Sequence, residues 1–133
     1  MPAENAREVA AALLRKADVD YEAMVAMRGR GATLAPVIGF HAQQAVEKAV
    51  KAVMVLNGLR LKRTHDIAAL LYDLKEARVE GPTMQITPEA LTRFAVEGRY
   101  FEVLEEPDVG SVTDALFSDI EGVLAWAKAF LGK

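Results

Sequence analysis

There is no cysteine among the 133 residues, which removes disulfides, thiol nucleophiles and thiolate zinc sites together. Nor does any apolar stretch approach the roughly 18 residues of a membrane-spanning helix. The opening Met-Pro-Ala-Glu-Asn carries an acid where a secretion leader would be basic and then apolar. A cytoplasmic, reducing compartment is the expectation. Histidine is nearly as scarce. His41 and His65 stand 24 residues apart and no His–Glu spacing matches a metal-binding pattern, so neither a metal nor a cofactor is expected. Positive charge is in deficit too. Sixteen Lys and Arg against nineteen Asp and Glu leave a net charge of -3, which argues against a protein that coats nucleic acid through general electrostatics. Repeats, low-complexity segments and alternating β-branched runs are also missing.

What is present is apolar residue at helical spacing. The hydrophobic fraction is 52% over a length that suits one domain, residues 1–133. Val9, Leu13, Ala17, Tyr21 and Met24 mark a long first helix, which the glycines of Arg28-Gly29-Arg30-Gly31 end. Pro36 can open a second helix whose buried side is Ile38, Ala42, Ala45, Ala49, Val53 and Leu56, with Asn57-Gly58 as its stop. Ile67, Leu70, Leu71 and Leu74 define a third helix, capped by Thr64 or Asp66 and ending before Gly81-Pro82. Thr87-Pro88-Glu89 starts a fourth, with Leu91, Phe94 and Ala95 as its apolar face. Ser111 and Asp114 resemble a capping box for a fifth that carries Leu116, Ile120, Val123, Leu124, Ala127 and Leu131. The spacing predicts an all-α, antiparallel up-and-down bundle of about five helices, near 4–28, 36–57, 65–78, 88–98 and 111–131.

Three constellations carry chemistry. On the second helix His41, Gln44, Lys48 and Lys51 follow one another at steps of three and four and share a polar face. That face suits phosphate or base edges; it suits as well a partly buried hydrogen-bonding face or a dimer seam, with Glu47 and Lys51 as an ordinary ion pair four residues apart. The loop Leu59-Arg60-Leu61-Lys62-Arg63 then puts three cations in four residues just ahead of a helix start. If helix three begins at Thr64-His65, its first amides and Arg60, Arg63 and His65 form an anion site; the alternative is a solvated connector. Arg99-Tyr100 could fork onto phosphate and stack on a base, or simply pin a loop to the bundle.

The run Phe-His-Ala-Gln-Gln-Ala-Val-Glu-Lys-Ala-Val-Lys-Ala from Phe40, followed by Gly58 and by Thr-His-Asp-Ile from Thr64 with two leucines, resembles the signature of the HEPN domain, a helical nucleotide-binding family. Residues 91–100, LTRFAVEGRY, resemble that family's later helix and its Arg-Tyr-Pro element, with Phe101 in place of the proline. The resemblance covers nearly the whole chain. It implies a homodimeric nucleotide- or RNA-binding module, partnered by a separately encoded minimal nucleotidyltransferase in a toxin–antitoxin-like pair. It also implies an alternative, because the family's ribonuclease branch uses an arginine and a histidine with four to six residues between them. Arg60 and His65 have that spacing, although Leu61 stands where that branch commonly has a polar residue. Such an enzyme would need no metal: histidine moves the proton and arginine steadies the crowded phosphate. A ligand-free dimeric scaffold is the third reading. Dimerisation is expected to hide some of the exposed-looking apolar residues, among them Val50, Met54, Phe101 and Phe117.

Overall fold

A computed structural model describes residues 4–96 and 114–132. Five α-helices are present there: α1 Glu4–Met27, α2 Ala35–Leu56, α3 Ile67–Glu76, α4 Pro88–Val96 and α5 Asp114–Leu131, with a 3-10 turn at Ala32–Leu34 leading into α2. The described residues contain no strand. The expected Ser111 cap, the side chain of Ala95, and Arg99, Tyr100 and Phe101 lie outside the described residues.

The bundle is built around α2, which packs against α1, α3, α4 and α5. Its central position follows from its composition. Ala42, Ala45, Ala49 and Ala52 are all fully buried, and small side chains let neighbouring helix axes approach closely. A close approach occurs at Gly39, where a Cβ would collide with the ring of Phe94 on α4. Long-range pairs give the direction of α1 against α5. Arg7 donates to the carbonyl of Leu131, Lys128 to Asp18, and Arg28 to Asp114, so the two helices run antiparallel.

α1 is turned relative to the expected stripe. Ala10, Leu14, Ala17 and Met24 are buried, while Val9 is 44% exposed and Leu13 and Tyr21 are only partly covered. The small Ala10 and Ala17 face the core because they allow α1 to lie close along α2. A second correction concerns the residues assigned to a dimer face. Val50 and Met54 are fully buried and Phe117 is 4% exposed; the bundle's own core takes them, leaving no part of them for a partner.

The helix ends explain the boundaries. Gly58 adopts φ 72, Gly58 N–H donates to the Val55 carbonyl and Leu59 N–H to the Met54 carbonyl. This is the paired closing pattern of a helix C-terminus with a left-handed residue just past its end. α3 closes in the same way, with Arg78 at φ 61 and bonds from Arg78 N–H to Lys75 and Val79 N–H to Leu74. α3 is therefore shorter than its apolar spacing predicts, ending at Glu76 and starting at Ile67 rather than His65. Asp66 caps it, accepting from Ala69 N–H at 3.2 Å. For α4, Thr87 accepts from Ala90 N–H at 3.1 Å, with Pro88 as the first helical residue. Between α3 and α4 the chain is tied down by the buried carboxylate of Asp119, which accepts from Gln85 N–H and Ile86 N–H, both at 2.9 Å.

Candidate functional site

The polar face of α2 meets the rest of the protein in two hydrogen-bonded clusters, each centred on a buried acid. In the first, Asp20 of α1, 6% exposed, sits between His41 and Lys48. Its carboxylate is 2.8 Å from His41 Nδ1 and 2.5 Å from Lys48 Nζ. In the second, Glu47, also 6% exposed, takes Lys51 Nζ at 2.9 Å, Gln43 Nε2 at 2.8 Å and His65 Nδ1 at 2.8 Å. Gln43 is fully buried, accepts from Gln44 at 2.7 Å and reaches the His65 carbonyl at 3.4 Å. Burial alone would raise the Glu47 carboxyl. The hydrogen bonds from Lys51, His65 and Gln43, with the Lys51 charge, outweigh it and hold the group below its ordinary range.

The four residues of the expected stripe therefore divide. His41 and Lys48 are committed to Asp20, Lys51 to Glu47, and Gln44 to Gln43. Sequence reading found the stripe and the Glu47–Lys51 pair but missed Asp20 and Gln43. A signal for Asp20 existed: it falls three residues after Ala17 and four before Met24, so an acid stands on the apolar line of α1. An acid placed there must have partners, and His41 and Lys48 on the polar stripe of α2 supply them.

Loop 57–66 runs from the end of α2 to the cap of α3, and its outer positions are exposed from Arg60 to Arg63. It is held at one end by the closing pattern of α2 and at the other by Glu47 and Gln43 gripping His65. Two open clefts flank it. One, of about 400 Å³, is lined by Met54, Leu59, Arg60, Lys62, Asp73 and Glu76, and Lys62 is paired with Asp73 at 2.9 Å. The other, of about 540 Å³, is lined by Arg63, Thr64, His65, Asp66, Glu89 and Thr92. The fold thus brings Arg63 and His65 to one cleft and turns Arg60 to the other. Among the described residues neither Arg60 nor Arg63 has an ion pair or hydrogen bond.

The start of α3 is partly closed by the chain itself. Ile67 N–H donates to Thr92 Oγ1, Ala69 N–H to Asp66 and Asp66 N–H to Thr64 Oγ1. The amides expected to meet an anion largely have internal acceptors, so any pull on an anion there comes from the side chains. No group of three or more His, Asp or Glu among the described residues is placed to hold a metal ion, and no helix among them is long and apolar enough to cross a membrane.

The sequence model of the HEPN domain family matches residues 10–130, nearly the whole chain. No curated protein and no solved structure gives a significant match. The all-α bundle and the matched span agree with the residues that carry the resemblance, from Phe40 through Ile67. This chain belongs to the HEPN domain family.

Proposed function

We propose that this HEPN domain is a nucleotide- or RNA-binding module that receives phosphate on loop 57–66, through Arg60 and Arg63, with His65 contacting the ligand beside the phosphate. The observation that carries the reading is the state of the loop's arginines. Lys48, Lys51, Lys62, Lys128 and Arg28 are committed to carboxylates; Arg60 and Arg63 have no partner among the described residues, and unlike the other unpaired arginines, such as Arg15 and Arg93, each lines a cleft beside a segment pinned at both ends. Uncommitted guanidinium groups on a preorganised loop suit phosphate, because little ordering is needed when the ligand arrives. Lys51 and Gln44 support the loop from behind through Glu47 and Gln43, His41 and Lys48 are held instead by Asp20, and Arg99 and Tyr100 complete the proposed contact set.

The module acts as a homodimer beside a separately encoded minimal nucleotidyltransferase, in a two-component pair of toxin–antitoxin type. Among the described residues, Val9, Val19 and Val25 on α1, Val37 and Phe40 on α2, Leu61 on the loop and Tyr72 on α3 are the exposed large apolar side chains available for such contacts. Light scattering at tens of micromolar gives twice the chain mass on this reading; a monomer mass contradicts it.

A second reading has one observation in its favour. His65 is an exposed imidazole held by a buried carboxylate, an arrangement that orients histidine for proton transfer. Against a ribonuclease stands the separation of Arg60 and His65 into different clefts. Incubation with RNA in chelator distinguishes the two: intact RNA that shifts on a native gel supports the binder, and cleavage abolished by His65→Ala supports the enzyme.

A further inference from the structure

Glu47 is a buried carboxylate to which phosphate binding alone gives no task. It lies on α2, away from solvent, yet grips the one loop side chain whose ring enters the 540 Å³ cleft. Because its hydrogen-bond partners hold its carboxyl below the ordinary range, it is ionised across neutral pH. An ionised carboxylate only accepts hydrogen bonds. The proton in the 2.8 Å contact therefore sits on His65 Nδ1. A neutral imidazole with its proton on Nδ1 carries a bare lone pair on Nε2. The His65 side chain is 64% exposed, and Nε2 has no partner among the described residues.

That lone pair determines what the cleft takes. A phosphate oxygen without a proton has nothing to give to Nε2, whereas a hydroxyl has. Arg63, on the same cleft, offers the guanidinium that a phosphate needs. Asp66 and Glu89, also on the cleft, repel a second phosphate but accept from hydroxyl groups, as carboxylates that read a ribose do. The charges around His65 are Glu47 and Lys51 from α2, Arg63 and Asp66 from the loop, and Glu89 from α4.

We infer that Glu47 is a positioning residue that fixes the Nδ1–H form of His65, and that the cleft thereby selects a ligand bearing a hydroxyl beside a phosphate, the chemistry of a ribonucleotide. The ligand half rests on the phosphate-binding reading above; the histidine half stands on geometry alone. Ribose is distinguished from deoxyribose by the 2′-hydroxyl, which both donates and accepts.

Long-range nitrogen–proton NMR on histidine-labelled protein, read over a pH series and scored where the ring signals themselves are those of a neutral imidazole, gives the His65 form directly. Protonation at Nδ1 in the wild type is expected, with a shift towards Nε2 protonation in Glu47→Gln, whose amide can donate to Nδ1. Predominant Nε2 protonation in the wild type overturns the inference without recourse to any variant. Calorimetric titration then compares cytidine 3′-phosphate with 2′-deoxycytidine 3′-phosphate. The ribonucleotide is expected to bind about three- to tenfold more tightly, the worth of one hydrogen bond, and Glu47→Gln to bring that ratio towards one. Equal affinities in the wild type overturn the inference while leaving the phosphate-binding reading intact. Binding of neither nucleotide overturns both.

Discussion

Buried acids set the behaviour of individual residues here. Glu47 is depressed in the folded state from an ordinary value of 4.5. A group depressed on folding stabilises the native state above its unfolded pKa, and that stabilisation is lost as pH falls through the folded value. The melting temperature of Glu47→Gln should therefore lie below the wild type at neutral pH, and the gap should narrow once pH drops under about 4.5. A gap that stays constant down to strongly acidic pH would contradict the assignment. Asp119 acts on backbone rather than on side chains. Its carboxylate takes two amides of the segment that joins α3 to α4, so Asp119→Ala should cost about 2 kcal/mol in denaturant unfolding. Both acids sit within helical runs that read as ordinary amphipathic sequence. For Asp119 the warning was available: it lies between Leu116 and Val123, on the buried line of α5. Its partners, the amides of Gln85 and Ile86, have no sequence signature because every residue but proline carries one.

At the scale of the elements, apolar spacing located the five helices of the described residues, because a buried face repeats every three or four residues whatever the tertiary contacts. Their ends depended on how legible the caps were. Asn57-Gly58 and Thr87-Pro88 carry the residue types their geometry requires, and both lie where the sequence places them. The end of α3 was hidden because an arginine occupies the left-handed position that glycine usually fills. Arg78→Gly should relieve that backbone cost and raise stability by about 1 kcal/mol, read as a higher unfolding midpoint at unchanged slope; a lower midpoint would show that the Arg78 side chain contributes contacts worth more than the strain. Gly39 is the opposite case. Nothing in the sequence separates it from a helix-weakening glycine, yet the Phe94 ring lies against its Cα. Gly39→Ala should destabilise by about 2 kcal/mol through overpacking, and adding Phe94→Leu should recover part of the loss. A Gly39→Ala variant as stable as the wild type would mean that α4 shifts away freely. The rotation of α1 was illegible for a related reason: Val9 and Ala10 are equally apolar, and only the closeness of α2 selects the smaller.

For the whole molecule, the same physics divides polar residues into two populations. Those on α2 face inward to Asp20 and Glu47 and give the bundle a defined register. Those on loop 57–66 face outward and are held in shape by the inward set through the His65–Glu47 contact. The sequence showed both populations as one basic, histidine-bearing stretch, since three- and four-residue spacing says which side chains share a face but not whether another helix covers it. Partition of Arg60 and Arg63 between two clefts was equally out of reach, because an irregular ten-residue connection has no period to read. Binding should accordingly depend on the loop, while the fold depends on the helix face behind it.

The most direct test is fluorescence anisotropy of a labelled single-stranded RNA, followed across a salt series, for the wild type and for the double charge reversal Arg60→Glu with Arg63→Glu. The account predicts wild-type affinity that falls as salt rises. It predicts no detectable binding by the double variant, with helical circular dichroism and molecular mass unchanged. RNA binding of undiminished strength in the double variant would contradict loop 57–66 as the phosphate site.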